Sequence, residues 1–177
     1  MLKKALIVIY IFFSLTLLFY ISLPNFDFPK PPPDSVQSKE PADMETPLRR
    51  AYFTNLGRQE VLDWYMSQFK NSPFKNIPLP TELLNYPPEN SGTIIRDQTR
   101  STFLQEIVHP FRENVFINGY EPAPDDNKDR IEIDGVHWRQ KIIIKYVPSN
   151  TVLRVIIYFA VITLIPVLYL AYFKNKK

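Results

Sequence analysis

The apolar residues of this chain are strongly segregated. Residues 5–23 form a run of 19 in which only Ser14, Thr16 and Ser22 fall outside the hydrophobic set. Residues 155–173 repeat the pattern over 19 positions, interrupted only by Thr163 and Pro166. Neither run carries a charge. At about 1.5 Å of rise per residue, each covers roughly 28 Å, close to the hydrocarbon thickness of a bilayer. The pattern therefore predicts two transmembrane helices, over residues 5–23 and 152–173.

Between them the pattern changes three times. Residues 24–50 hold seven of the 17 prolines, including Pro31, Pro32 and Pro33. Proline lacks a donor N–H and fixes φ, so this stretch is expected to be an extended or disordered spacer. Residues 57–70 then follow a helical period. Arg58, Val61, Leu62, Tyr65, Met66 and Phe69 fall on one face, and five of the six are apolar or aromatic. Gly57 is a permissible N-cap with Glu60 three residues on, Leu56 and Val61 sit at staple positions, and Pro73 stops the helix. Residues 73–90 contain five prolines and read as an irregular connection with a short turn near residues 81–85.

The remainder predicts strands. Residues 102–109, 115–117 and 136–147 are rich in β-branched and aromatic side chains. The first is equally compatible with a helix over residues 99–108, because Phe103 and Ile107, and Leu104 and Val108, are spaced four apart. Asn118-Gly119 and Asp134-Gly135 are two-residue hairpin signals. In the last strand Trp138, Ile142, Ile144 and Tyr146 share one face with Gln140. His137, Arg139, Lys141 and Lys145 share the other with Ile143. The expected fold class is α+β: one amphipathic helix packed on an antiparallel sheet, over residues 51–151, flanked by the two spans.

Charge sets an expected orientation. Lys3 and Lys4 precede the first span, and Lys174, Lys176 and Lys177 follow the second. The middle carries 15 Lys and Arg against 18 Asp and Glu. The positive-inside rule places residues 1–4 and 174–177 in the cytoplasm and the middle outside, with Arg154 snorkelling at the outer interface. The basic tails imply contact with anionic lipid heads rather than nucleic acid. Residues 21–25 lack a small-residue cleavage site, so the first span reads as an uncleaved anchor. The spans carry no central ionisable group, which argues against a pump or channel formed by this chain alone. A bacterial inner membrane suits the Lys- and Ile-rich anchor and the absence of cysteine.

Candidate chemistry is sparse. Without cysteine there is no disulfide scaffold and no thiolate metal site. The two histidines, His109 and His137, have no metal-ligand spacing around them and read as structural or solvent-facing. The four glycines form no phosphate-binding loop and no nucleophile elbow. Residues 125–129 carry oxygens at alternate positions, but Arg130 and Val136 break the calcium-loop pattern, so they read as an acidic turn. The densest polar cluster is Arg96, Asp97 and Arg100 with Arg112, Glu113 and Asn114. These residues are the candidate surface for an acidic or carbohydrate ligand or a partner.

No cofactor and no catalytic motif is expected. The expected function is a membrane-anchored interaction protein whose domain docks onto an envelope or membrane-complex partner. The alternative is a ligand-sensing domain coupled to the membrane through residues 148–151. A membrane-bound envelope enzyme ranks behind both.

Overall fold

A computed structural model describes residues 2–96, 98–123 and 128–174. The chain divides into two compact units, Met1–Asn25 with Ser149–Lys177, and Phe26–Pro148.

The first unit is a helical hairpin of α1 (Leu2–Ser22) and α3 (Thr151–Lys174). Residues Lys4–Ser22 and Thr151–Lys174 are each long and apolar enough to cross a membrane, and only 6% of each apolar window is buried. Their outward apolar surface separates them from core helices of a soluble protein. The helices run antiparallel and exchange backbone-directed hydrogen bonds. The Tyr10 hydroxyl donates to the Ile162 carbonyl at 2.5 Å, and the Tyr158 hydroxyl to the Ser14 carbonyl at 2.8 Å. Tyr10 thus bonds across the hairpin. Ser14, Thr16 and Thr163 bond back to carbonyls of their own helices. Arg154 is buried and donates to the carbonyl of Leu23.

The second unit is α+β. Its six-stranded sheet is antiparallel throughout, in the order β1-β2-β8-β5-β4-β3. The strands are β1 (Val36–Gln37), β2 (Arg49–Thr54), β3 (Glu82–Tyr86), β4 (Phe103–Val108), β5 (Asn114–Tyr120) and β8 (Gln140–Val147). β6 (Ile131–Ile133) and β7 (Val136–Trp138) form a separate hairpin. Its turn residues Asp134 and Gly135 have φ of 52° and 76°. Positive φ at both positions is what the Asp-Gly signal predicts.

The helix α2 (Arg58–Phe69) covers one sheet face. Its Val61, Leu62, Tyr65 and Phe69 meet Tyr52, Phe103, Ile107, Val115, Ile117, Ile142, Ile144 and Tyr146. The Gly57 N–H donates to the Glu60 carboxylate at 2.6 Å, the half of a capping box that a glycine cap allows. Gln140, the polar interruption of the inward face, donates to the Leu56 carbonyl at 2.5 Å. The other face is smaller. Ile95, from a single π-turn (Gly92–Arg96), covers Ala51, Leu104 and Ile143.

Three expectations change. Residues 26–50 are no spacer. Phe26 stacks on His109 with ring centroids 5.4 Å apart, and Phe28 packs on the core. Polyproline carbonyls have no partner within their own helix, and here Trp64 and Gln68 donate to the Lys30 carbonyl. The folded unit therefore begins near residue 26, not at 51. Residues 82–86 are an edge strand rather than a turn. Residues 103–108 form the expected strand, not the alternative helix. Asn118-Gly119 lies inside β5. Phe103 opposes Gly119, and a Cβ there would fall 2.0 Å from the Phe103 ring, so the glycine admits a cross-strand aromatic.

Candidate functional site

The sheet has two edges of unequal character. β1 is two residues long. β3 has five residues, is bonded on one side only, to β4, and exposes Leu83 and Leu84. Unpaired backbone groups on such an edge are satisfied by water or by another strand. Pro80 and Pro87 bracket β3, which limits the length over which a second chain could pair.

β3 runs into a polar cleft of about 300 Å³ lined by Arg58, Asn85, Tyr86, Pro87, Thr102 and Phe103, among others. Arg58 is the first residue of α2, the one polar position on its apolar stripe. Its guanidinium bonds to Asn85 Oδ1 at 2.9 Å and Gln105 Oε1 at 3.4 Å, and lies over the Phe103 ring. Among the described residues it has no carboxylate partner within salt-bridge distance. The arrangement presents a fixed positive group beside an open strand edge, a combination that suits an extended acidic segment.

Next to it Glu106, buried on β4, accepts hydrogen bonds from the Tyr86 hydroxyl at 2.5 Å and from the Asn114 amide. Accepting that bond, the Glu106 carboxylate pushes the Tyr86 phenol up from its usual value; burial adds to the effect.

The β4–β5 loop, residues 109–113, is a compact polar structure. The His109 N–H donates to the Glu113 carbonyl at 3.1 Å, and the Arg112 N–H to the His109 carbonyl at 2.9 Å. The Glu113 carboxylate is fully buried. It meets Arg112 Nη2 at 2.8 Å and Nε at 3.3 Å, and His109 Nδ1 at 3.2 Å. His109 Nε2 lies 2.7 Å from the Phe69 carbonyl, so both ring nitrogens face oxygen acceptors. Burial pushes the Glu113 carboxyl up, but the bonds from His109 and Arg112 and the Arg112 charge outweigh it and hold it below the usual range.

The residues singled out by the sequence do not converge. Arg112 and Glu113 are interior rather than surface groups, because each neutralises the other in the turn. Asn114 bonds to Glu106. Arg96 pairs with Glu45 at 2.5 Å, and Arg100 with Asp129 at 2.6 Å, in different parts of the domain. Asp97 and most of the 125–129 acidic turn lie outside the described residues. Of that turn, Asp129 accepts from Tyr120 at 2.9 Å as well as from Arg100. His137 is exposed on β7. The described residues contain no group of three or more His, Cys, Asp or Glu positioned for a metal ion. Sequence reading missed β3 and Arg58, although a proline-bracketed leucine pair and an arginine on an apolar stripe were visible signals.

No protein-family model matches the chain, and no curated protein and no solved structure matches it either.

Proposed function

We propose that this protein is a two-span membrane anchor that presents an α+β domain outside the membrane for docking to a protein of an envelope or membrane complex. The observation that carries the reading is the free β3 edge, with Leu83 and Leu84 exposed on its opposite faces, running into the cleft of Arg58. The occupant is an extended segment of the partner, added as a further strand and carrying an acidic group toward Arg58. The lysines outside both spans support cytoplasmic ends, in a membrane such as a bacterial inner membrane. No catalytic constellation is assigned to the domain, and no cofactor.

The test is site-specific crosslinking from position 84 in native membranes, with the partner then purified. Pairing along β3 predicts that Leu83→Lys and Arg58→Met each abolish the crosslink while the domain's melting temperature is retained. A protein that stays monomeric with no crosslinked partner would sink the proposal.

A second reading, a sensing domain, rests on the connection between β8 and α3. Only residues 148–150 separate Val147 from Thr151. Insertion of several flexible residues there should abolish signalling to a partner without unfolding the domain; unchanged output counts against it.

A further inference from the structure

One end of the sheet gathers both chain crossings. Val147, the last residue of β8, pairs with Asn114, the first of β5. Phe26, the first residue of the domain, accepts from the Tyr146 hydroxyl at its carbonyl. The β4–β5 loop is at this end, as is the loop following α2, because His109 bonds to the carbonyl of Phe69, the last residue of α2.

That end displays two aromatic side chains. Phe111 is 80% exposed, the highest value among the domain's large apolar residues, and Phe74 is 45% exposed. Phe111 has a φ of 62°. Bulky residues rarely adopt this conformation, which strains the backbone. His109, Arg112 and Glu113 turn inward and hold the loop in that shape, so the strain aims Phe111 out into solvent. Phe74 is followed by Lys75 and Asn76, also at positive φ, and the Lys75 ammonium lies 5.3 Å from the Phe74 ring centroid. Aromatic rings beside lysines are what the headgroup region of a bilayer accommodates.

Chain length supplies the occupant. Three residues join Val147 to α3, and three join Ser22 to Phe26. At up to about 3.5 Å per residue, each crossing keeps this end of the domain within roughly 14 Å of a span terminus. We infer that Phe111 and Phe74 insert into the headgroup region of the membrane that holds α1 and α3, a third point of attachment that seats the domain on the lipid surface. This rests on the membrane-spanning reading above.

The absence of native cysteine makes the test direct. Single-cysteine variants Phe111→Cys, Phe74→Cys, Val136→Cys and Leu168→Cys of the full chain are labelled with an environment-sensitive fluorophore. They are reconstituted into phosphatidylcholine–phosphatidylglycerol vesicles, with and without spin-labelled lipid. Position 168 in α3 reports spanning, and position 136, at the opposite end of the domain, reports bulk water. Lipid quenching at 111 and 74 several-fold above that at 136 is the expected result. Quenching at 168 while 111 behaves like 136 overturns the inference and leaves the spanning reading intact. No quenching at 168 overturns both. Shielding of 111 from lipid quencher and aqueous iodide alike would mean contact with a second copy, and also overturns it.

Discussion

Arg154, in the first turn of α3, donates from Nη2 to the carbonyl oxygen of Leu23, just beyond the end of α1, at 3.2 Å. The same nitrogen reaches Thr151 Oγ1 at 2.7 Å. A guanidinium at this point meets the negative end of the α1 dipole, and a carbonyl that the helix itself leaves unbonded. Hydrogen bonds to charged groups contribute about 1.5–3 kcal/mol when buried. Arg154→Ala is therefore expected to weaken the α1–α3 hairpin by that order, and Arg154→Lys by less. Thermal unfolding in detergent, followed by helical circular dichroism, measures it. Equal stability of Arg154→Ala and the parent would show that the contact holds nothing.

The His109–Arg112–Glu113 turn predicts a pH dependence. The folded Glu113 carboxyl is held below its usual value, so the unfolded chain binds its proton more readily. The stabilisation is present above the unfolded value, about 4.3, and is lost as pH falls through the folded one. The parent should lose stability on acidification below about pH 4. Glu113→Gln should be less stable at neutral pH and flatter across that acid window. Glu113→Ala removes the carboxylate that meets Arg112 and His109 inside the turn, with an expected cost of about 3–5 kcal/mol. Chemical denaturation of each variant at several pH values checks both statements. An acid slope unchanged in Glu113→Gln would assign the dependence to other groups.

What was legible in the chain follows from how each segment is buried. The spans, α2 and β8 bury one consistent face or none, and period or hydropathy reveals such segments. β4 is buried on both faces, so Phe103, Leu104, Ile107 and Val108 matched a helix as well as a strand. β3 is an exposed edge and shows almost no pattern. Residues 26–50 dock through two phenylalanines and scattered backbone bonds, which composition reads only as proline-rich. Arg112 and Glu113 of the candidate polar cluster lie inside the domain for a related reason. Neighbours in sequence, such as Arg112 and Glu113, can neutralise each other inside a turn instead of facing a ligand.

Gly119 tests the β4–β5 register. Its α-hydrogens leave room for the Phe103 ring across the strand pair. Gly119→Ala forces that ring aside, with an expected loss of about 1–3 kcal/mol from overpacking. Adding Phe103→Leu should recover part of that loss, because the clash goes with the ring. Independent penalties that simply add in the double variant would refute the pairing.

The proline-rich segment supplies the last prediction. Lys141 on β8 pairs with Asp43 at 2.7 Å and Glu40 at 2.8 Å, fastening the short helix Pro41–Met44 to the sheet. Burial pushes the Lys141 ammonium down, but the bonds to Asp43 and Glu40 outweigh it and raise it. A raised folded value means that this contribution is complete below the unfolded lysine value, about 10.4, and is lost as pH rises through the folded one. Asp43 is 2% exposed, whereas Glu40 is open to solvent, so Asp43 should matter more. Asp43→Ala is expected to speed tryptic cleavage after Lys39 while leaving α2 protected, and Glu40→Ala to do so only weakly. Cleavage after Lys39 that is already fast in the parent, and unchanged in Asp43→Ala, would return this segment to the role of a loose tether.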